Sequence, residues 1–184
     1  MNRFIAKALS MAALALTVVA CNDDDSQDSV WDRYADWREA NEAWFAEQEV
    51  KTNPDGTPFY TRVSPAWNPG AVVLMHWYND RAETEGNLVP LITSQVSTIY
   101  IGHLYDDEPF DSSYTQTGAI YTTRVTGVVE GWQIALMNMR VGDSCQIVFP
   151  YQQGYGGSQQ GKILPYSALR FNMRLTDIPA YEIR

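Results

Sequence analysis

The chain has 184 residues, of which 45% are hydrophobic and 19% are charged, so it can bury one ordinary core and is not disordered throughout. Its formal net charge of −9 disfavours a nucleic-acid partner, because binding to phosphates requires Lys and Arg. Two cysteines exclude a disulfide-dense scaffold, and two histidines leave little material for a histidine-rich metal site.

The first segment, residues 1–20, has the pattern of a signal peptide, with a basic start and an apolar stretch strongest over 11–20. This stretch is shorter than the ~20 apolar residues that a membrane-spanning helix needs. It ends in Val-Val-Ala-Cys, which resembles the lipobox of bacterial lipoproteins and predicts lipidation of Cys21. An ordinary signal peptide followed by a chance cysteine is the alternative. The acidic, polar residues 21–29 predict a flexible tether that resembles those of Bacteroidetes lipoproteins.

Residues 30–50 predict an N-terminal helix. Ser29 suits an N-cap, there is no Gly or Pro over 30–49, and aromatic residues recur at helical spacing: Trp31, Tyr34, Trp37, Trp44 and Phe45. A helix face of this kind has to be buried against something. Three alternatives are open: packing on its own domain, a homodimer contact, and a surface that binds client proteins.

Residues 51–70 are rich in Pro, Gly and Asn and predict a linker. The remaining segment, 71–184, predicts a single domain with a helix over 128–139 and strands over 72–77, 96–104, 145–149 and 169–175. In the second strand, Val96, Thr98, Tyr100 and Gly102 should share one face. This order of elements predicts an α+β fold, in which an antiparallel sheet packs against one short helix. We expect this domain to fold without the N-terminal helix.

Two other functions have little support. Residues 156–162 fit the phosphate-binding pattern G-x-x-x-x-G-K, but Ile163 stands where Ser or Thr is needed and Pro165 opposes a helix there. His76 and His103 are expected at the surface or between strands, so no metal site is predicted.

Several short motifs follow one another between about residues 72 and 178. They read V-S-T-I-Y-I-G-H-L over 96–104, F-D-S-S over 110–113, G-V-V-E-G-W-Q-I-A-L-M-N-M over 127–139, V-G-D over 141–143, G-Y-G over 154–156 and I-L-P-Y-S-A-L-R-F over 163–171. In this order and spacing the chain resembles FKBP-type peptidyl-prolyl cis-trans isomerases. The resemblance implies an antiparallel sheet half-wrapped around a short helix, with a proline-binding pocket between them.

The resemblance also implies which residues form that pocket. Asp111, Tyr155 and Tyr100 are the expected catalytic residues. The expected substrate-binding residues are Phe110, Val128, Val129, Trp132, Ile163 and Phe171.

The pocket rim departs from the family pattern at several positions. Leu164 replaces the first proline of a usual pair, and Lys162 stands where an apolar residue is common. Tyr121 or Thr123 stands where the family often has a pocket phenylalanine. These changes put the affinity for the macrolide ligands of the family in doubt.

The predicted function is isomerisation of X–Pro bonds in exported or envelope proteins, without covalent chemistry, metal or cofactor. The alternative is a catalytically weak binding module or chaperone that keeps the fold. A glycan-binding lipoprotein would suit the many aromatic residues but explains none of the motif order. The expected partners are proline-containing polypeptide clients, the membrane through a lipid on Cys21, and a second copy through the N-terminal helix. The expected location is the cell envelope, with a lipid anchor in the outer membrane.

Overall fold

The computed structural model describes residues 29–115 and 117–182, with the backbone alone at residue 117. The predicted signal peptide, the lipidation site Cys21 and all of the predicted tether except Ser29 lie outside the described residues.

A seven-stranded antiparallel sheet is the main element of the described chain. Its strands are β1 (Thr61–Val63), β2 (Val73–Trp77), β3 (Gln95–His103), β4 (Pro109–Ser112), β5 (Tyr121–Arg124), β6 (Ser144–Phe149) and β7 (Leu169–Ala180). They are ordered β1-β2-β6-β7-β3-β4, and β5 pairs with the first part of β3, beyond the end of β4. The predicted α+β fold, an antiparallel sheet with a few helices, is confirmed.

Alternation along the central strands decides which face of the sheet is buried. Val96, Thr98, Tyr100 and Gly102 of β3 are all buried, as their spacing predicts, while the residues between them are mostly half-buried. Strand β7 repeats the pattern, with Phe171 and Met173 inside. Because side chains alternate between the two faces of a strand, one face of β3 and β7 becomes the floor on which a helix packs.

Helix α3 (Glu130–Leu136) packs on this floor and is shorter than predicted. Val128 and Val129 lie before the helix in an extended backbone, and the Asn138 side chain binds the carbonyl of Ile134 after its last turn. The apolar residues over 128–139 are therefore not all helical. Those before and after α3 are apolar because they pack against the core.

Close contact between α3 and β6 depends on a glycine. A Cβ atom on Gly131 would lie 2.4 Å from the Phe149 ring, far inside ordinary van der Waals contact. Glycine at this position lets the helix backbone rest on the ring, which fixes the height of α3 above the sheet.

The N-terminal segment packs on the same domain. Helices α1 (Val30–Arg33) and α2 (Ala35–Glu49) are followed by β1, which pairs with β2 and extends the sheet. Phe45 of α2 is buried in a second apolar cluster, whose other buried members are Tyr60, Val72, Leu74, Val148 and Ala168. Of the three alternatives for the helix, packing on its own domain is the one seen in the structure. No described helix is long and apolar enough to cross a membrane.

The prediction that residues 51–70 are only a linker is wrong in part. Residues 61–63 of this segment form a strand. The sequence does not reveal it, because three residues are too few to show an alternation of apolar and polar side chains. Pairing with the neighbouring strand, which sequence periodicity does not report, decides this element.

A buried carboxylate fixes the connection between α3 and β6. Asp143 is fully buried and accepts hydrogen bonds from the Thr84 hydroxyl (2.6 Å), the Arg140 amide (2.8 Å) and the Asn79 side chain (3.2 Å). The guanidinium of Arg81 lies 3.2 Å from its second oxygen. Burial alone would raise the pKa of Asp143, but these donors and the Arg81 charge outweigh it and lower the pKa.

Candidate active site

A cavity of about 180 Å³ lies between α3 and the sheet, in the space that the half-wrapped strands leave open. Aromatic side chains form most of its wall. The lining residues are Tyr100, Phe110, Asp111, Tyr121, Gly127, Val128, Val129, Trp132, Tyr155 and Phe171.

Three buried rings form the base of the cavity. Trp132, Tyr100 and Phe171 are each about 95% buried, with exposed fractions of 4%, 6% and 4%. The Trp132 ring meets Tyr100 at 4.9 Å and Phe171 at 5.1 Å between centroids, both nearly perpendicular. Edge-to-face contacts of this kind hold rings in one orientation. The base is therefore a rigid apolar surface.

Phe110 reaches this base because β3 carries a glycine opposite it. Its ring lies 5.4 Å from the Phe171 ring, at 89°. A Cβ atom on Gly102 would lie 2.6 Å from Phe110 and 2.7 Å from Phe171. The absence of a side chain on Gly102, in the motif over 96–104, thus provides the space into which two cavity rings pack.

A short hydrogen bond forms the polar side. The Tyr100 hydroxyl donates to Oδ2 of Asp111 at 2.6 Å, and Oδ1 of the same carboxylate accepts from the Ser112 amide at 2.8 Å. The buried Ser113 hydroxyl accepts from the Tyr100 amide at 3.0 Å. The F-D-S-S motif is therefore a strand that ends in a 3₁₀ turn, and its polar residues fix Tyr100 at both ends.

The hydroxyls of Tyr100 and Tyr155 stay protonated at neutral pH. Burial, and then the hydrogen bond to Asp111 and its charge, raise the pKa of Tyr100 above its ordinary value. Burial, followed by the charges of Asp111 and Tyr121, also raises the pKa of Tyr155. The Tyr155 hydroxyl makes no hydrogen bond to another residue in the described part of the chain, so it can donate to a ligand carbonyl.

Comparison with known proteins agrees with this geometry. A family model described as FKBP-type peptidyl-prolyl cis-trans isomerase matches residues 89–176, which include strands β3 to β6, most of β7, helix α3 and every lining residue of the cavity. These residues form an FKBP-type domain.

Curated relatives share this domain. The chain is 37% identical over 98 residues to the macrophage infectivity potentiator of Trypanosoma cruzi, covering 53% of this chain and 50% of that protein. It is 35% identical over 89 residues to the FKBP-type isomerase FkpA of Escherichia coli, covering 48% and 33%. It is 36% identical over 90 residues to the isomerase Mip of Coxiella burnetii, covering 48% and 39%. The chain thus matches half or less of the length of these relatives.

Solved structures show the same fold. A peptidyl-prolyl cis-trans isomerase from Pseudomonas syringae superposes with a TM-score of 0.63 at 25% identity, covering 79% of this chain and 95% of that one. FkpA from Escherichia coli gives a TM-score of 0.63 at 24% identity, covering 81% and 64%. The FKBP-like sheet and helix predicted from sequence are confirmed by these likenesses.

The FKBP-type domain brings together eight of the nine residues predicted for the pocket. Tyr100, Phe110, Asp111, Val128, Val129, Trp132, Tyr155 and Phe171 all line the cavity. Ile163 does not line it: its side chain is 95% buried in the core, and its backbone exchanges hydrogen bonds with Gln160.

Two lining residues are not among the nine predicted: Tyr121, which the sequence leaves as an alternative to Thr123, and Gly127. Tyr121 lies on β5, with its ring 5.7 Å from that of Tyr100, whereas Thr123 is not among the lining residues. Of the two positions where the family often has a phenylalanine, Tyr121 is therefore the one at the cavity. Gly127 precedes Val128, and because it has no side chain its polarity gives no indication that it lies at the cavity.

Two of the altered rim residues, Lys162 and Leu164, are not among the residues that line the cavity. Lys162 forms an exposed ion pair with Glu108 at 3.6 Å, and the Leu164 carbonyl accepts from the Ser167 hydroxyl at 2.7 Å. Their effect on binding would have to act through the loop that carries them.

Proposed function

We propose that this chain is a peptidyl-prolyl cis-trans isomerase acting on X–Pro bonds of exported or envelope polypeptides. The observation that carries the proposal is the aromatic cavity with one polar side. An apolar base made of Trp132, Tyr100 and Phe171 fits a proline ring, and the hydroxyl of Tyr155 is within the same wall.

The reaction requires no bond to be broken. Rotation about an X–Pro amide takes tens to hundreds of seconds unaided, because the twisted transition state loses most of the amide resonance, against a barrier of ~18–20 kcal/mol. That transition state has less charge separation than the planar amide. A cavity that excludes water therefore favours it over the ground state.

Each cavity residue has a distinct part in this scheme. Trp132 supports the face of the proline ring, with Phe171 and Val129 beside it. Tyr155 donates to a substrate carbonyl, while Asp111 holds Tyr100 by the 2.6 Å bond and orients the polar side. A thousandfold acceleration needs about 4 kcal/mol of differential binding, which a few such contacts can supply.

The direct test is the relaxation of a short X–Pro peptide from cis to trans with the full chain. The rate should rise in proportion to protein concentration. Trp132→Ala, purified in the same way, controls for contaminating isomerases and should lose the activity. A preparation that binds the peptide without accelerating its relaxation would support the binding module or chaperone instead.

An envelope location with a lipid anchor on Cys21 is the second part of the proposal. The lipobox-like Val18-Val19-Ala20-Cys21 and the acidic residues after it support it. The FkpA and Mip relatives support the envelope alone. Cys21→Ser should release the protein from the membrane fraction of the native host. Membrane association and processing that do not change would contradict the anchor.

A homodimer through the N-terminal helix is the remaining partner proposal. Val30 and Trp31 of α1 are exposed by 44% and 47%, which leaves apolar surface at that end. Sedimentation of the full chain at increasing concentration tests it, and a monomer at all concentrations would contradict it.

A further inference from the structure

We propose that the N-terminal helices position the rim loop, which we define as residues 150–168, and thereby set how tightly the cavity binds its substrate. Trp37 and Asn41 are the positioning residues. The inference rests on the proposed isomerase function, and it assigns a role to a segment that lies before the FKBP-type domain.

The rim loop joins β6 to β7 and carries Tyr155 to the cavity. Its two limbs are joined by a hydrogen bond in which the Tyr166 amide donates to the Gly156 carbonyl at 2.8 Å. Gly156 is the neighbour of Tyr155 in the chain. Any displacement of Tyr166 is therefore passed to the residue beside the cavity hydroxyl.

Tyr166 needs outside support to stay where it is. Its φ of 65° is in the left-handed region, which is unfavourable for a non-glycine residue unless the surroundings hold it. Its ring packs edge-on against Trp31 of α1 and against Tyr151, each at 5.2 Å between centroids. The guanidinium of Arg38 stacks 3.4 Å from the Trp31 ring and fixes that tryptophan.

The two residues after Tyr166 are bound directly by α2. The Trp37 indole N–H donates to the Ser167 hydroxyl at 3.1 Å, and that hydroxyl donates to the Leu164 carbonyl. Oδ1 of Asn41 accepts from the Ala168 amide at 2.8 Å, while its Nδ2 donates to the Trp37 carbonyl. Asn41 is 99% buried, so its side chain is committed to this contact.

These contacts form one path from the helix to the cavity: α2, then 166–168, then Gly156, then Tyr155. A loop that spends only part of its time in the competent position lowers the apparent affinity in proportion to that fraction. Loosening the helix contact should therefore raise KM and leave kcat nearly unchanged.

Trp37→Phe tests the path in the full chain, because it removes the N–H donor to Ser167 and keeps an aromatic ring beside Tyr105, whose ring lies 5.1 Å from that of Trp37. Trp44→Phe is the matched control, since Trp44 lies on the same helix but packs on the second apolar cluster. Hydrogen exchange at the Gly156 and Tyr166 amides reports the loop without any need for activity. The Met173 amide in β7 serves as the reference for global unfolding.

In Trp37→Phe we expect exchange at Gly156 and Tyr166 to rise about fivefold relative to Met173, the effect of one lost hydrogen bond of ~1 kcal/mol. KM for the X–Pro peptide should rise about three- to fivefold, with kcat within twofold of wild type. Asn41→Ala should act in the same direction on exchange and KM. Trp44→Phe should match wild type in both measurements.

The positioning role is wrong if Trp37→Phe and Asn41→Ala exchange at these amides like Trp44→Phe. It is also wrong if exchange rises while KM does not, since the loop is then held by the helix without serving the cavity. A wild-type chain with no isomerase activity would contradict the proposed function and the KM effect with it, while the exchange data alone would still decide whether the helix restrains the loop.

Discussion

Replacing Gly102 with alanine should disrupt the cavity by displacing two of the rings that line it. The added methyl would lie 2.6 Å from Cζ of Phe110 and 2.7 Å from Cε1 of Phe171. Carbon atoms are in favourable contact at ~3.5–4.0 Å, so each ring has to move by about 1 Å. Both rings line the cavity, and the Phe171 ring is also in contact with Trp132.

The expected cost in the free energy of unfolding is about 1–3 kcal/mol, the usual range for overpacking a well-packed core. With a urea m-value of ~1–3 kcal/mol/M, the unfolding midpoint should fall by about 1 M. The displaced rings enter a cavity of only about 180 Å³, so we expect kcat/KM for an X–Pro peptide to fall at least about tenfold, which corresponds to ~1.4 kcal/mol.

Gly70→Ala is the matched control for this substitution. The nearest atom to a Cβ on Gly70 is Asn68 Oδ1 at 3.7 Å, an ordinary contact, so its midpoint and rate should equal those of wild type. Adding Phe110→Leu to Gly102→Ala should recover part of the stability, because it removes one of the two clashing rings, but not the activity. A Gly102→Ala protein with wild-type midpoint and rate would refute the packing argument.

The remaining predictions concern the polar side, the base and the pH dependence of the domain. Asp111→Ala and Tyr155→Phe should melt within a few degrees of wild type while peptide isomerisation slows. Asp111→Ala loses the hydrogen bond from Tyr100, which costs about 1 kcal/mol, and Tyr155→Phe removes a hydroxyl that binds no other described residue. Normal turnover would exclude both residues from the site. Trp132→Ala should lose ~3–5 kcal/mol of stability in urea together with its activity, and activity that persists would show that the ring is not the base. Folding lowers the pKa of Asp143. The Asp143 carboxylate therefore stabilises the folded state at pH values above its ordinary pKa near 4, and this stabilisation is lost as the pH falls through the pKa of the folded state. The stability difference between wild type and Asp143→Asn should shrink as pH falls from about 5 to about 2, and a constant difference would contradict it. Burial raises the pKa of Tyr60 to about 12. The protonated Tyr60 side chain therefore stabilises the folded state fully below pH ~10, and this stabilisation is lost between pH ~10 and 12. In Tyr60→Phe the free energy of unfolding should depend less on pH in this alkaline range.

Part of this fold can be predicted because local periodicity reports burial. The alternation in 96–104 and 169–175 gives both central strands and their inner faces, and Gly102 within a strand indicates a close approach. Strands β1, β4 and β5 have three or four residues each, too short for alternation to be distinguished from chance. These segments become strands because they form backbone hydrogen bonds with the longer strands beside them in the sheet.

The motif order by itself determined the family of the domain, the α+β architecture and eight of the residues around the cavity, because those residues belong to short motifs whose order and spacing match the family pattern. Only the tertiary structure decided that Ile163 faces the core, that Tyr121 rather than Thr123 meets the cavity, and that Trp37 and Asn41 bind the rim loop. The Trp37 and Asn41 contacts join residues more than 120 positions apart in the chain. A sequence pattern records which face of an element is apolar, but the partner that covers this face is chosen by how all the elements pack together.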